Sequence, residues 1–140
     1  MARKLVYESD RLFNLYGYTM SHGLLLLRSK NANGPTTTRI DILFRDVRAM
    51  EIRAWLYGIR IEEIDDSRFL ENERSKPIEM LEPGLKIFSI TSSHYRVPVN
   101  SSTWHGFVIA GIVLFEEDHG ELFGPSALVP DPPMKRWSLG

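Results

Sequence analysis

The residues best suited to chemistry in this chain are its four histidines, His22, His94, His105 and His119. A metal ion needs several such ligands held together. No two of these histidines stand four residues apart, and no His-Glu-x-x-His occurs, so no single helix can supply a pair. His22, His94 and His119 fall in turn-like stretches, and only convergence at one end of a sheet would unite them; no metal is expected. Ser21-His22 and Ser93-His94 each set a hydroxyl beside an imidazole. Successive strand residues point to opposite faces, so neither dipeptide by itself makes a nucleophile and its base. Gly-x-Ser-x-Gly, Gly-x-Gly-x-x-Gly and the Walker A pattern are all absent. The chain has no cysteine, which excludes disulfides, thiolate zinc sites and cysteine nucleophiles. The carboxylates Glu116, Glu117, Asp118 and Glu121 lack the order of a calcium loop and read as the charged tip of a hairpin. No catalytic residue and no cofactor is expected.

Charge narrows the partners. Net charge is −1 over 140 residues, which gives no general attraction to nucleic acid or to a membrane. The halves differ: residues 1–60 sum to +5 and residues 61–140 to −6. Arg39, Arg45, Arg48, Arg53 and Arg60, with Trp55 and Tyr57, have the composition of a single-strand stacking platform. They are interleaved with Asp41, Asp46 and Glu51, so cross-strand ion pairs are expected instead. Neither nucleic acid nor membrane is expected as a partner. The basic pair Arg3-Lys4 has no apolar stretch behind it, so no signal peptide is read. The longest apolar run, 106–115, is half the length of a membrane helix. A cytoplasmic protein is expected.

The elements that position these residues read as strands. Leu12 to Thr19 and Leu24 to Ser29 form two, joined through Tyr18 to Gly23. Asn31-Ala32-Asn33-Gly34-Pro35 is a turn. Thr36 to Phe44 alternates, with Ile40, Ile42 and Phe44 on one face and Arg39, Asp41 and Arg45 on the other; Leu43 breaks the pattern. Asp46 to Arg53 alternates again. A helix over Val47 to Leu56, with Met50, Ala54 and Tyr57 on one face, is the competing reading there. Gly58 to Ile64 and Leu85 to Ile90 are further strands. Ser92 to Tyr95 reads as a turn, and Arg96 to Val99 as a short edge segment. Trp104 to Phe115 is apolar on both faces, as a central strand covered on both sides would be; Gly106 and Gly111 within it mark close packing or a bulge. Glu116 to Gly120 is read as a hairpin turn, and Glu121 to Phe123 as the returning strand. An acidic loop over 65–83, with a short helical turn near Ser67–Glu73, and a proline-rich extended tail over 124–140 complete one domain over 1–140. The fold class is mainly β: an antiparallel β-sandwich or partly open barrel with little helix.

The stretch Ser21-His22-Gly23-Leu24-Leu25-Leu26-Leu27-Arg28 is followed by Thr38 to Met50 with the ending Phe44-x-x-Val47. With Gly106 to Gly111 and Phe123-Gly124-Pro125-Ser126, it resembles small uncharacterised bacterial β-rich domains, some grouped with immunity proteins of polymorphic toxin systems. The resemblance spans about a quarter of the chain. It implies a module that covers a toxin partner and brings no catalytic residue. The large amphipathic aromatics point the same way, since aromatics and arginine are enriched at protein interfaces. The candidate binding residues are Tyr18, His22, Trp55, Tyr57, His94 and Trp104. The partner is expected to be another protein, or a second copy through exposed edge strands. The rival expectation is a small-ligand-binding or hydrolytic β-barrel with a histidine-lined pocket at its mouth.

Overall fold

The computed structural model describes residues 3–30, 38–64, 83–93 and 104–129. Among these there is no helix. The strands are β1 (Arg3–Thr19), β2 (Leu24–Lys30), β3 (Arg39–Arg45), β4 (Ala49–Glu51), β5 (Trp55–Ile64), β6 (Lys86–Ser93), β7 (Trp104–Ala110) and β8 (Ile112–Asp118). They form one antiparallel sheet in the order β4-β7-β6-β5-β1-β2-β3-β8. The fold is therefore mainly β, and a single sheet replaces the two of a sandwich.

The sheet rolls up because two strands bend. β4 follows β3 after three residues, and β8 follows β7 after Gly111. β3 pairs with β8 while β4 pairs with β7. The two bent strands thus accompany each other across the break, tied by Gly111 N–H to the Arg45 carbonyl and Arg48 N–H to the Ile109 carbonyl, both 2.9 Å. The end strands β4 and β8 do not pair with each other, yet the path β7-β6-β5-β1-β2-β3 returns to β7 through β4. The result is a partly open barrel. At the bend Asp46 has φ 58°, a left-handed conformation that aspartate tolerates better than most side chains. Gly23, also at φ 58°, meets this corner from the β1–β2 turn, and its carbonyl accepts from Val47 N–H at 2.9 Å. A Cβ at Gly23 would stand 3.0 Å from the Val47 nitrogen.

Alternation decides what fills the interior. Phe13, Leu25, Leu27, Ile42, Phe44, Leu56, Ile61, Phe88, Ile90 and Val108 form one buried cluster drawn from six strands, each large side chain contributing about 1.5–3 kcal/mol on burial. The opposite faces of the same strands build two further clusters. Leu24, Leu26 and Leu43 pack under Leu128 and Val129. Ile64, Ile87, Phe107 and Ile109 form the other.

Several expectations change. The first strand begins at Arg3, because its charged first half is laddered onto β5, from Arg3↔Ile64 to Ser9↔Ile59. The Asp46–Arg53 strand shrinks to Ala49–Glu51 at the bend, and the helical alternative is absent. The apolar run splits at Gly111 into covered β7 and β8, which ends the sheet. Glu116 to Asp118 belong to β8 and are not a hairpin tip; no strand returns at Glu121–Phe123. Residues 124–129 turn instead of extending, with Leu128 N–H donating to Ser126 Oγ at 3.2 Å, while Leu128 and Val129 pack on the body as their apolar character suggests. The expected turn at 31–35, the loop 65–82, the segment 94–99 and the tail from 130 onward lie outside the described residues.

Candidate functional site

Two bulges meet on the outside of the barrel at Gly58. Between the pairs Ser9↔Ile59 and Leu12↔Tyr57, two residues of β1 oppose Gly58 alone. Between Tyr57↔Ser93 and Arg60↔Thr91, two residues of β5 oppose Ser92. Gly58 takes φ 79°, which a side chain would strain. Such bulges interrupt ladder hydrogen bonds and re-aim side chains. Here they open a cleft of about 730 Å³ lined by Glu8, Ser9, Asp10, Tyr57, Arg60, Thr91 and Ser93, among others. A second hollow of about 460 Å³ continues from Tyr57 along Arg53, Ala54 and Trp55.

The bulges also shift the phase of β5. Leu56 enters the interior opposite Phe13, so Trp55 and Tyr57 share the outer face with Leu12, which pairs with Tyr57. Trp55 is 56% exposed and Leu12 38% exposed. An aromatic pair and a leucine therefore stand in one row beside a polar cleft. Glu8 accepts a hydrogen bond from Arg60 at 2.9 Å on the rim.

The other expected site residues go elsewhere. Tyr18 and Trp104 pack against the interior cluster, where they seal it; the Arg53 guanidinium lies 5.8 Å from the Trp104 ring centroid. His22 lies on the exposed β1–β2 turn, its Nδ1 3.0 Å from Ser21 Oγ. A turn, unlike a strand, lets these neighbours meet. No carboxylate or oxyanion donor accompanies them among the described contacts. His94 lies outside the described residues. His22 and His119 sit at opposite ends of β2–β3–β8: Leu25 pairs with Phe44 at one end, and Lys30, Arg39 and Asp118 align at the other. A seven-residue strand separates them, about 20 Å at 3.4 Å per residue. Their convergence is excluded, and no described residue lining the cleft is a histidine. No group of three or more potential metal ligands occurs among the described residues.

The arginines expected in cross-strand ion pairs are largely engaged with carboxylates: Arg39 with Asp118 at 2.9 Å, Arg48 with Asp46 at 3.0 Å and Arg60 with Glu8 at 2.9 Å. Sequence reading missed Arg11. From the β1 bulge its guanidinium donates to Ser29 Oγ at 3.1 Å and to Thr38 Oγ1 at 2.9 Å, fastening β1 to β2 and β3. Nearby, the Tyr7 ring meets Phe115 with centroids 5.0 Å apart. Burial, with the Glu117 charge, pushes the Tyr7 hydroxyl above its ordinary pKa against the lowering pull of Ser9 and Arg11. Sequence reading also missed Leu12, Glu8 and Asp10. Gly58 between aromatic and apolar neighbours was the signal for the bulge that exposes them.

No family model, no curated protein and no solved structure matches the chain. No helix of the described residues is long and apolar enough to cross a membrane.

Proposed function

We propose that this chain is a non-catalytic protein-binding module that works through the outer face of β1–β5. The observation that carries this is the row of exposed Trp55, half-buried Tyr57 and exposed Leu12, mounted on paired strands at the edge of a cleft. Tryptophan and tyrosine with an apolar neighbour are the side chains that most often dominate binding energy. A sheet holds them in place before a partner arrives, which lowers the cost of association. An immunity-type inhibitor of a toxin, acting in a bacterial cytoplasm, is the concrete version that the sequence resemblance supports. It would block its partner by covering it.

The competing reading is a small-ligand site in the cleft. Its volume falls within the ordinary range for ligand pockets, although no histidine among the described residues lines it. One experiment separates the two. Tagged chain and its Trp55→Ala variant are used to retain partners from an extract of the source cells, with native mass spectrometry of what is bound. A stoichiometric protein held by the parent and lost by the variant, at about a 30-fold weaker affinity, supports the module. A small molecule bound by both chains, or a protein retained equally by both, refutes it.

A further inference from the structure

We propose a second contact surface on the far side of β8: the 121–124 turn presents Phe123 as an anchor for an apolar pocket with a basic rim on a protein partner. The proposal rests on the reading of the chain as a binding module, but not on the Trp55 face.

Phe123 is 82% exposed. A single exposed apolar residue is ordinary; the mounting of this one is not. Arg28 is 1% exposed and forms a bidentate pair with Asp41, also 1% exposed, at 2.7 and 2.9 Å. Its remaining donor reaches over the sheet to the Leu122 and Gly124 carbonyls at 2.7 and 2.8 Å. These are the carbonyls on either side of Phe123. Arg39, held by Asp118, donates to the Glu121 carbonyl at 2.9 Å and to that of Gly124 at 3.4 Å. Gly124 N–H closes the turn on the Glu121 carbonyl at 3.1 Å. Two buried guanidinium groups therefore fix the backbone that carries an exposed phenyl ring. Met20, 85% exposed on the β1–β2 turn, has no such guanidinium support among the described residues: its turn is held by backbone bonds, Gly23 N–H to the Met20 carbonyl at 3.4 Å and Val47 N–H to the Gly23 carbonyl at 2.9 Å. A turn already fixed in the unbound chain loses little freedom on binding.

Charge names the partner. Between residues 112 and 129 there are four carboxylates and no lysine or arginine. Arg39 engages Asp118. Glu116, in register with Asp41, stays exposed on the face that the turn covers, and Glu121 is exposed within the turn itself. The cations beneath them, Arg28 and Arg39, are buried and engaged. An exposed ring in a turn with exposed Glu121, on a face that also carries exposed Glu116, matches an apolar pocket ringed by lysine or arginine, and such complementarity speeds encounter at low salt.

The test places the photo-crosslinking side chain p-benzoylphenylalanine at position 123 of the full chain, with positions 55 and 20 as comparisons, in extract of the source cells. The expected result is a crosslink from position 123, absent from position 20, to a protein whose crosslinked surface is basic. Affinity for that protein should fall about 30-fold in Phe123→Ala. Its association rate should drop with salt, and drop again in the Glu116→Gln, Glu121→Gln double variant. Thermal melting of Phe123→Ala should match the parent, because the ring buries little. No crosslink from 123 above that from 20, or a crosslinked partner indifferent to salt and to both carboxylates, overturns the proposal. A crosslink from 55 alone would leave the Trp55 face standing and refute this one; a crosslink from 123 alone would do the reverse.

Discussion

Removing Arg28 should be the most destructive single change on the outside of this barrel. In Arg28→Ala the Asp41 carboxylate stays buried at 1% exposure, its nearest remaining cation being Arg39 at 3.9 Å. The carbonyls of Leu122 and Gly124 lose a charged donor, and the Tyr16 ring loses the guanidinium that sits 4.1 Å from its centroid. Stranding one member of a buried ion pair costs about 3–5 kcal/mol. With a urea dependence of about 2 kcal/mol per molar, a loss of about 4 kcal/mol lowers the unfolding midpoint by about 2 M. Hydrogen exchange should show a second effect: the amides of Gly124 and Val129, bonded to Glu121 and Ser126, should lose protection well before those of β2 and β3.

The Arg28→Met, Asp41→Leu double variant separates the two contributions. Replacing both charges with apolar side chains removes the stranded carboxylate, and such exchanges are often neutral or better. The midpoint should recover by more than half, whereas the Leu122 carbonyl has lost its Arg28 donor and that of Gly124 keeps only the 3.4 Å bond from Arg39, so the turn should remain unprotected. A midpoint change below about 0.5 M in Arg28→Ala, about 1 kcal/mol at that slope, would refute the view that this pair is a buried unit. Full protection of the turn in the double variant would refute the view that Arg28 holds it.

Other changes test the remaining contacts. A Cβ at Gly106 would run into the Trp104 ring and the Glu51 carbonyl, so Gly106→Ala should cost about 1–3 kcal/mol by overpacking, read by urea titration with a shifted Trp104 fluorescence maximum. For Asp118, burial opposes ionisation. The Arg39 guanidinium and the Gly120 N–H, helped by the Arg28 charge, outweigh it and hold the carboxyl below its usual range. A depressed folded-state pKa gives stability that is present above the unfolded value of about 3.9 and lost as pH falls through the folded one. The parent should therefore lose stability below about pH 4 more steeply than Asp118→Asn, and equal acid slopes would disprove it. For Tyr7, whose pKa is raised mainly by burial, ultraviolet titration should show one tyrosine ionising later than the rest, and Tyr7→Phe should abolish that late step. The stability it carries is complete below about pH 10 and is lost as pH rises through the folded value.

The strand character of the chain was readable because alternation reports burial directly. Ile40, Ile42 and Phe44 point inward, as their spacing says. Leu43, the residue out of pattern, is explained by the cluster it joins under Leu128 and Val129. Roll-up was not readable, since it depends on two bends, at Asp46 and at Gly111, that must coincide in space. The end of β8 was misread because Glu116, Glu117 and Asp118 look like a hairpin tip. In the barrel Asp118 is the partner of Arg39, which sequence spacing cannot reveal. Of the six candidate site residues, Trp55 and Tyr57 share a face as alternate residues of β5, and the bulge at Gly58 turns that face outward. Tyr18 and Trp104 lie half-buried against the interior cluster, because amphipathic aromatics seal interiors as readily as they line interfaces.

The buried charges on the outside of β2 and β3 follow from how that face is covered. An apolar sheet face must be screened from water, and a helix or strand would do so with its own backbone groups already paired. Residues 121–129 form neither. Irregular chain lying on a sheet has carbonyls that need donors, and the strands beneath have already paired their own N–H groups. A side chain with several donors, long enough to reach over the sheet, meets that need, and arginine is the one with five. Burying a guanidinium requires a carboxylate beside it, so Asp41 accompanies Arg28 and Asp118 accompanies Arg39. The Arg–Asp alternation that reads as solvated ion pairs in the sequence is thus the consequence of a covering segment without regular structure. The same chemistry leaves Phe123 as the exposed group that this segment holds still.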